Sequence, residues 1–156
     1  MDDFRSLADL LDLQEVDLQI DRLLQDRQSL PELEEYRKAH QTAEVAATAL
    51  ATAEQELRDT SLELDKTEGE LEMTTGRLDA EQNRLYAGGM SARDADYLRR
   101  EVEMLDRKRR EAEDRVLELM EEREQQEGRV ERLRAESEDA VTVKNALESV
   151  IKEAWK

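Results

Sequence analysis

The chain has no cysteine, which excludes a disulfide framework and any thiolate metal site within its 156 residues. It has one proline and five glycines, too few breakers to cut it into many short elements. Aromatic residues make up 3%, so no thick core can be built on large rings. The longest apolar runs are three residues, far short of the roughly 20 needed to span a bilayer. The N-terminus, Met1-Asp2-Asp3-Phe4, is acidic and lacks the basic segment and apolar stretch of a secretory signal. These absences predict a soluble chain in a reducing cytoplasm, with no membrane partner.

What the chain does contain is charge and leucine. Charged residues are 42% of it, and 41 acids against 24 bases give a net charge of −17. Such a surface repels phosphate backbones and anionic lipid at long range. Leucine returns every seven residues at Leu50, Leu57, Leu64, Leu71, Leu78 and Leu85, and again at Leu98, Leu105, Leu119, Leu133 and Leu147. A repeat of seven keeps one stripe of an underwound helix facing a partner. The two series are separated by Gly88-Gly89. The expected fold is therefore all-α: a long antiparallel coiled-coil hairpin with a short N-terminal helix packed at its open end, forming a single helical domain over residues 1–156.

The spacing predicts a first helix over about residues 6–28, where Leu10, Leu13, Val16, Ile20 and Leu23 or Leu24 recur every three or four positions among Asp9, Asp12, Asp17 and Asp21. Ser29-Leu30-Pro31 ends it, because proline disfavours helical geometry in the residue before it and suits the first turn of the next helix. A second helix runs over about 31–86, on the order of 80 Å at 1.5 Å per residue. A turn follows at 87–91. Ser91 with Asp94 three residues on resembles a capping box that opens the third helix, about 92–155.

Taking Leu50 to Leu85 as one seam position makes Ala47, Glu54, Ser61, Glu68, Thr75 and Gln82 its companion. On the third helix the two positions are Ala95, Val102, Arg109, Val116, Arg123 and Val130, and Leu98, Leu105, Ala112, Leu119, Gln126 and Leu133. Folding about residue 90 then sets Leu78 against Val102 and Leu64 against Val116. Arg109 and Arg123 lie along Leu71 and Leu57, with their guanidinium groups reaching toward Glu68 or Glu54. Residues 31–90 carry 14 acids and 6 bases, whereas residues 91–156 carry 19 and 15, a bias that favours this pairing. Val141, Val143, Leu147, Val150, Ile151 and Trp155 leave the open end more apolar than two helices require. The first helix is expected to cover them in a three-helix base.

Two segments carry a family resemblance. One is Leu10-Leu11-Asp12-Leu13-Gln14-Glu15-Val16-Asp17 through Ile20 and Leu23 to Leu30-Pro31-Glu32-Leu33. The other runs from Arg84-Leu85-Tyr86-Ala87-Gly88 through Leu98, Glu101-Val102 and Leu105 to Glu113-Asp114 and Leu117-Glu118-Leu119-Met120-Glu121. Together they resemble the bacterial coiled-coil hairpin proteins that carry a C-terminal four-cysteine zinc ribbon, the DUF164 proteins. The resemblance implies a helical arm. It also implies zinc, but only if a ribbon follows Lys156, since the chain itself has no ligand cysteine. Nucleic-acid binding, the alternative reading the family suggests, would belong to that ribbon.

No catalytic, cofactor or metal residue is expected. There is no phosphate-cradling glycine loop, no nucleophile and base set, and no calcium loop. His40, the sole histidine, reads as a polar seam residue. Arg107-Lys108-Arg109-Arg110 is the one concentrated basic run, a candidate patch for phosphate or an acidic partner, but the flanking Asp106, Glu111, Glu113 and Asp114 favour pairing within the chain. The better candidate is the turn. Tyr86, Gly88, Gly89, Met90 and Tyr97 put adaptable and aromatic side chains around a loop, as at protein-binding surfaces. The expected function is thus a non-enzymatic coiled-coil adaptor or scaffold for a protein partner, with its own oligomeric state left open.

Overall fold

The computed structural model describes residues 2–28 and 30–156, with side chains from residue 6 onward except that of residue 28. It contains three helices, α1 (Asp2–Gln28), α2 (Pro31–Ala87) and α3 (Ala92–Ala154), and no strand among the described residues. Ser29, expected to help end the first helix, lies outside the described residues. Pro31 opens α2 with Glu32 and Glu34 in the first turn, where the positive end of the helix dipole favours acids. The Leu33 N–H donates to the Leu30 carbonyl over 3.0 Å.

At the far end of α2, Gly88 and Gly89 adopt positive φ of 69° and 82°, a region open to glycine at little cost. Ser91 then caps α3, its Oγ accepting from the Asp94 N–H over 3.2 Å.

The chain divides into two compact units. One comprises Ala49–Arg134, the other Met1–Thr48 with Ala135–Lys156. In the first, α2 and α3 run antiparallel as the two arms of a hairpin. Leu64, Leu78, Leu98, Leu105, Leu119 and Val130 are buried, with Leu64 and Leu119 each only 1% exposed.

The leucine stripe is as expected, but its companion position is not. Three residues after the leucines, Ala53 and Thr60 are buried and Thr67 and Thr74 half-buried; at the expected position Glu54, Ser61, Thr75 and Gln82 are half-buried, Ala47 and Glu68 exposed, and none is buried. The seam of α2 therefore continues three residues after each leucine, through Ala53, Thr60, Thr67, Thr74 and Glu81. Ion pairs across the hairpin agree with it: Arg77 to Glu101, Arg115 to Glu63 (2.8 Å), Arg129 to Glu56 (2.8 Å) and Arg134 to Glu54 (3.1 Å). Antiparallel coiled coils form such pairs along their two flanks, outside the seam. If these pairs occupy the flanks of the heptad pattern, heptad geometry sets Leu64 level with Leu119 and Leu78 with Leu105, three residues from the expected Val116 and Val102. Thr60 and Thr74 come level with Arg123 and Arg109, so a small residue stands where a long side chain needs room.

Arg109 and Arg123 also differ from expectation, because both pair along their own helix. Arg109 donates to Asp106 (2.9 Å) and Glu113 (2.8 Å), and Arg123 approaches Glu127 at 3.6 Å. A partner three or four residues away is reached without stretching across the seam.

In the second unit Ala43 and Ile151 are buried, and the Arg27 guanidinium lies 4.1 Å over the Trp155 ring. That contact ties the end of α1 to the open end of the hairpin. The apolar residues of α1 are not covered, however: Leu10, Leu13, Val16, Ile20, Leu23 and Leu24 remain 48–67% exposed, as do Val143 and Val150 of α3 at 54% and 48%. Among the described residues no three-helix base closes over these side chains. His40 is not in the seam either. It is exposed, stacks on Tyr36 at 6.0 Å and sits 3.3 Å from Glu44.

Candidate functional site

Of the residues expected at the turn between α2 and α3, Met90 and Tyr97 border one cavity, which Tyr86, Gly88 and Gly89 do not line. Tyr86 ends α2 with 86% of its surface exposed, and Tyr97, on the second turn of α3, is 71% exposed. Neither ring packs the turn. Met90 is half-buried between them in sequence. Beside it lies that cavity, of about 330 Å³, bordered by Met90, Tyr97, Arg77, Glu81, Arg84 and Glu101. Arg84 binds Glu81 at 2.9 Å, and Arg77 binds Glu101 across the hairpin. The site is thus a thioether and a phenol ring over two Arg–Glu ion pairs, with the Asp94 carboxylate also at its border, so that two cations face three anions.

The four ion-paired residues were not among the expected site residues. A signal for two of them exists, since Arg77 and Arg84 precede Leu78 and Leu85 by one residue and so flank the seam near its last turn. Glu81 is half-buried and paired with Arg84.

The basic run is arranged quite differently. Asp106 accepts from Arg109 (2.9 Å) and Arg110 (2.7 Å), and Glu113 accepts from Arg109. The hydrogen bond from Arg109, with the nearby Arg110 charge, holds the Asp106 carboxyl below its ordinary range against the opposing effect of burial. The Arg109 guanidinium is pushed up in return, chiefly by Asp106. Two of the four cations are therefore committed to their own helix, while Arg107 and Lys108 are exposed. Arg115, raised chiefly by its hydrogen bond to Glu63, ties the arms together one turn further on. At the open end Lys152 donates to Glu148 at 2.6 Å, lowering the Glu148 carboxyl and raising the Lys152 ammonium.

Among the described residues no group of three or more His, Asp or Glu side chains could hold a metal ion. No described helix is long and apolar enough to cross a membrane. The described residues present ion-paired flanks and exposed tyrosines near the turn, with leucines buried between the arms.

Residues 13–156 match the model of the CT398-like coiled coil hairpin domain. The chain belongs to that family. Its fold is also that of a solved structure, the HP0958 protein from Helicobacter pylori, with a TM-score of 0.67 at 21% identity over 95% of this chain. The chain spans 61% of that protein's length. A comparison with curated proteins gives no match. The family accounts for the leucine seam and the glycine turn, and its description names a fold and no ligand.

Proposed function

We propose that this CT398-like hairpin is a non-enzymatic adaptor or scaffold that binds a protein partner through its turn. One observation carries the reading. Tyr86 and Tyr97 stay 86% and 71% exposed, Tyr97 at the border of a cavity, while the neighbouring Leu98 is buried. Aromatic side chains held out of an available seam by a capped turn are the kind of rigid anchor that fills a partner's pocket. The charges that border the cavity, two cations and three anions, add polar contacts without a positive field that would select nucleic acid.

In the same reading the chain is the helical arm of a zinc-ribbon protein acting in the cytoplasm. Support comes from the resemblance to the ribbon-bearing hairpin proteins and from the greater length of the HP0958 protein, 61% of which this chain covers. Zinc would be held by the ribbon, and the arm would position it.

The test is capture from the native cell with chemical cross-linking, comparing the chain with its Tyr86→Ser/Met90→Ser variant. Loss of a defined partner at unchanged helicity supports the turn as the binding surface. Undiminished capture removes the turn from the proposal.

A further inference from the structure

The apolar face of α1 is the largest feature that the turn-centred reading leaves unused. Leu13, Val16, Ile20 and Leu23 follow one another at alternating steps of three and four, the spacing of a coiled-coil stripe, with Leu10 and Leu24 alongside. All six are 48–67% exposed. The stripe continues at Arg27, which is already seated on the Trp155 ring. Thus α1 is anchored at Arg27, and its apolar side chains from Leu10 to Leu24 are exposed.

Its flanks narrow the choice of what can cover it. The positions beside the stripe are Asp12, Asp17, Gln19 and Asp26, with no lysine or arginine among them. A second α1 laid on this one would set aspartate against aspartate. A helix with lysine or arginine on either side of its own apolar stripe would satisfy both the seam and its flanks.

We propose that α1 is a docking helix for a basic amphipathic helix of another protein. The inference rests on the adaptor reading and gives that adaptor a second surface, remote in sequence from the turn. Apolar side chains at the stripe supply affinity, and the aspartates select the partner's charge and hasten encounter at low salt.

The probe is a synthetic helical peptide of about three heptads, with leucine and isoleucine at its seam and lysine beside it. It is titrated against the full chain alongside a scrambled peptide of equal composition and a version with glutamate in place of lysine. The lysine peptide should bind about tenfold more tightly than either control and weaken with salt. Asp12→Lys with Asp17→Lys, which leaves the apolar stripe intact, should reverse the preference toward the glutamate peptide. Equal binding of the lysine and scrambled peptides would overturn the proposal. So would a doubled mass of the free chain that Leu13→Asp with Ile20→Asp returns to the monomer, because the stripe would then be covered by a second copy. A lower melting midpoint of the hairpin in that same variant would likewise overturn it, by showing that α1 covers its own base. If the peptide fails while Tyr86→Ser/Met90→Ser still releases a partner, the adaptor reading stands and the α1 proposal alone falls. If neither surface binds, both fall.

Discussion

Arg115 of α3 donates to Glu63 of α2 over 2.8 Å, on the flank of the hairpin immediately beside Leu64. This pair and its counterpart Arg77 to Glu101 hold the two arms in one register, in which the leucines of α2 lie level with those of α3. Isolated surface pairs contribute little to stability. Their value here is in selecting alignment, and the energy resides in the seam they border.

The seam can be tested by truncation. Leu64→Ala and Leu119→Ala each remove a side chain that is 1% exposed, and each should cost roughly 2–5 kcal/mol in urea unfolding followed by circular dichroism. Leu62→Ala, at a position 68% exposed, should stay within about 0.5 kcal/mol of the parent. Equal losses at 62 and 64 would mean that the buried face has been misplaced.

Glycine substitutions should split by sign. Gly69, Gly76 and Gly128 lie inside helices with nothing within 4 Å of an added Cβ, so alanine there should stabilise by about 0.5–1 kcal/mol each. Gly88 and Gly89 have equal space but positive φ, and alanine at either should destabilise by about 1–2 kcal/mol. Thermal unfolding of the five single variants reads both signs.

Acid titration has a local signature at Asp106. Its lowered pKa means that its pairing with Arg109 and Arg110 contributes stability fully above the ordinary carboxylate range, and that this contribution is lost as pH falls through the lowered value. The carboxyl carbon resonance of Asp106 should therefore titrate below that of an ordinary exposed aspartate. Arg109→Gln should move the midpoint upward. A midpoint indifferent to that change would contradict the observed hydrogen bond.

Much of this fold was legible before any coordinates. The second helix was expected over 31–86 and observed over Pro31–Ala87, and the third over 92–155 against Ala92–Ala154, because Pro31, Gly88-Gly89 and Ser91 each act through local backbone chemistry. The companion seam position was harder, since a seven-residue leucine repeat allows a second stripe on either side. Ala53, Thr60, Thr67 and Thr74, also seven apart, marked the true side, but small and polar residues are weak hydrophobic signals. Tyr86 and Met90 could be placed at the turn from sequence, whereas the charged floor beneath them depended on which flank residues the register brings together. The open face of α1 was not expected, because its periodicity is that of a packed helix.

The most direct test of the hairpin is disulfide formation in two double variants at high dilution, Leu78→Cys with Leu105→Cys and Leu78→Cys with Val102→Cys. A disulfide requires Cα atoms within about 7 Å, so a register error of three residues changes the outcome. The first pair should close quickly within a single chain, and the second slowly. Faster closure of the 78–102 pair, or cross-linking chiefly between chains, would contradict the register and the single-chain hairpin described above.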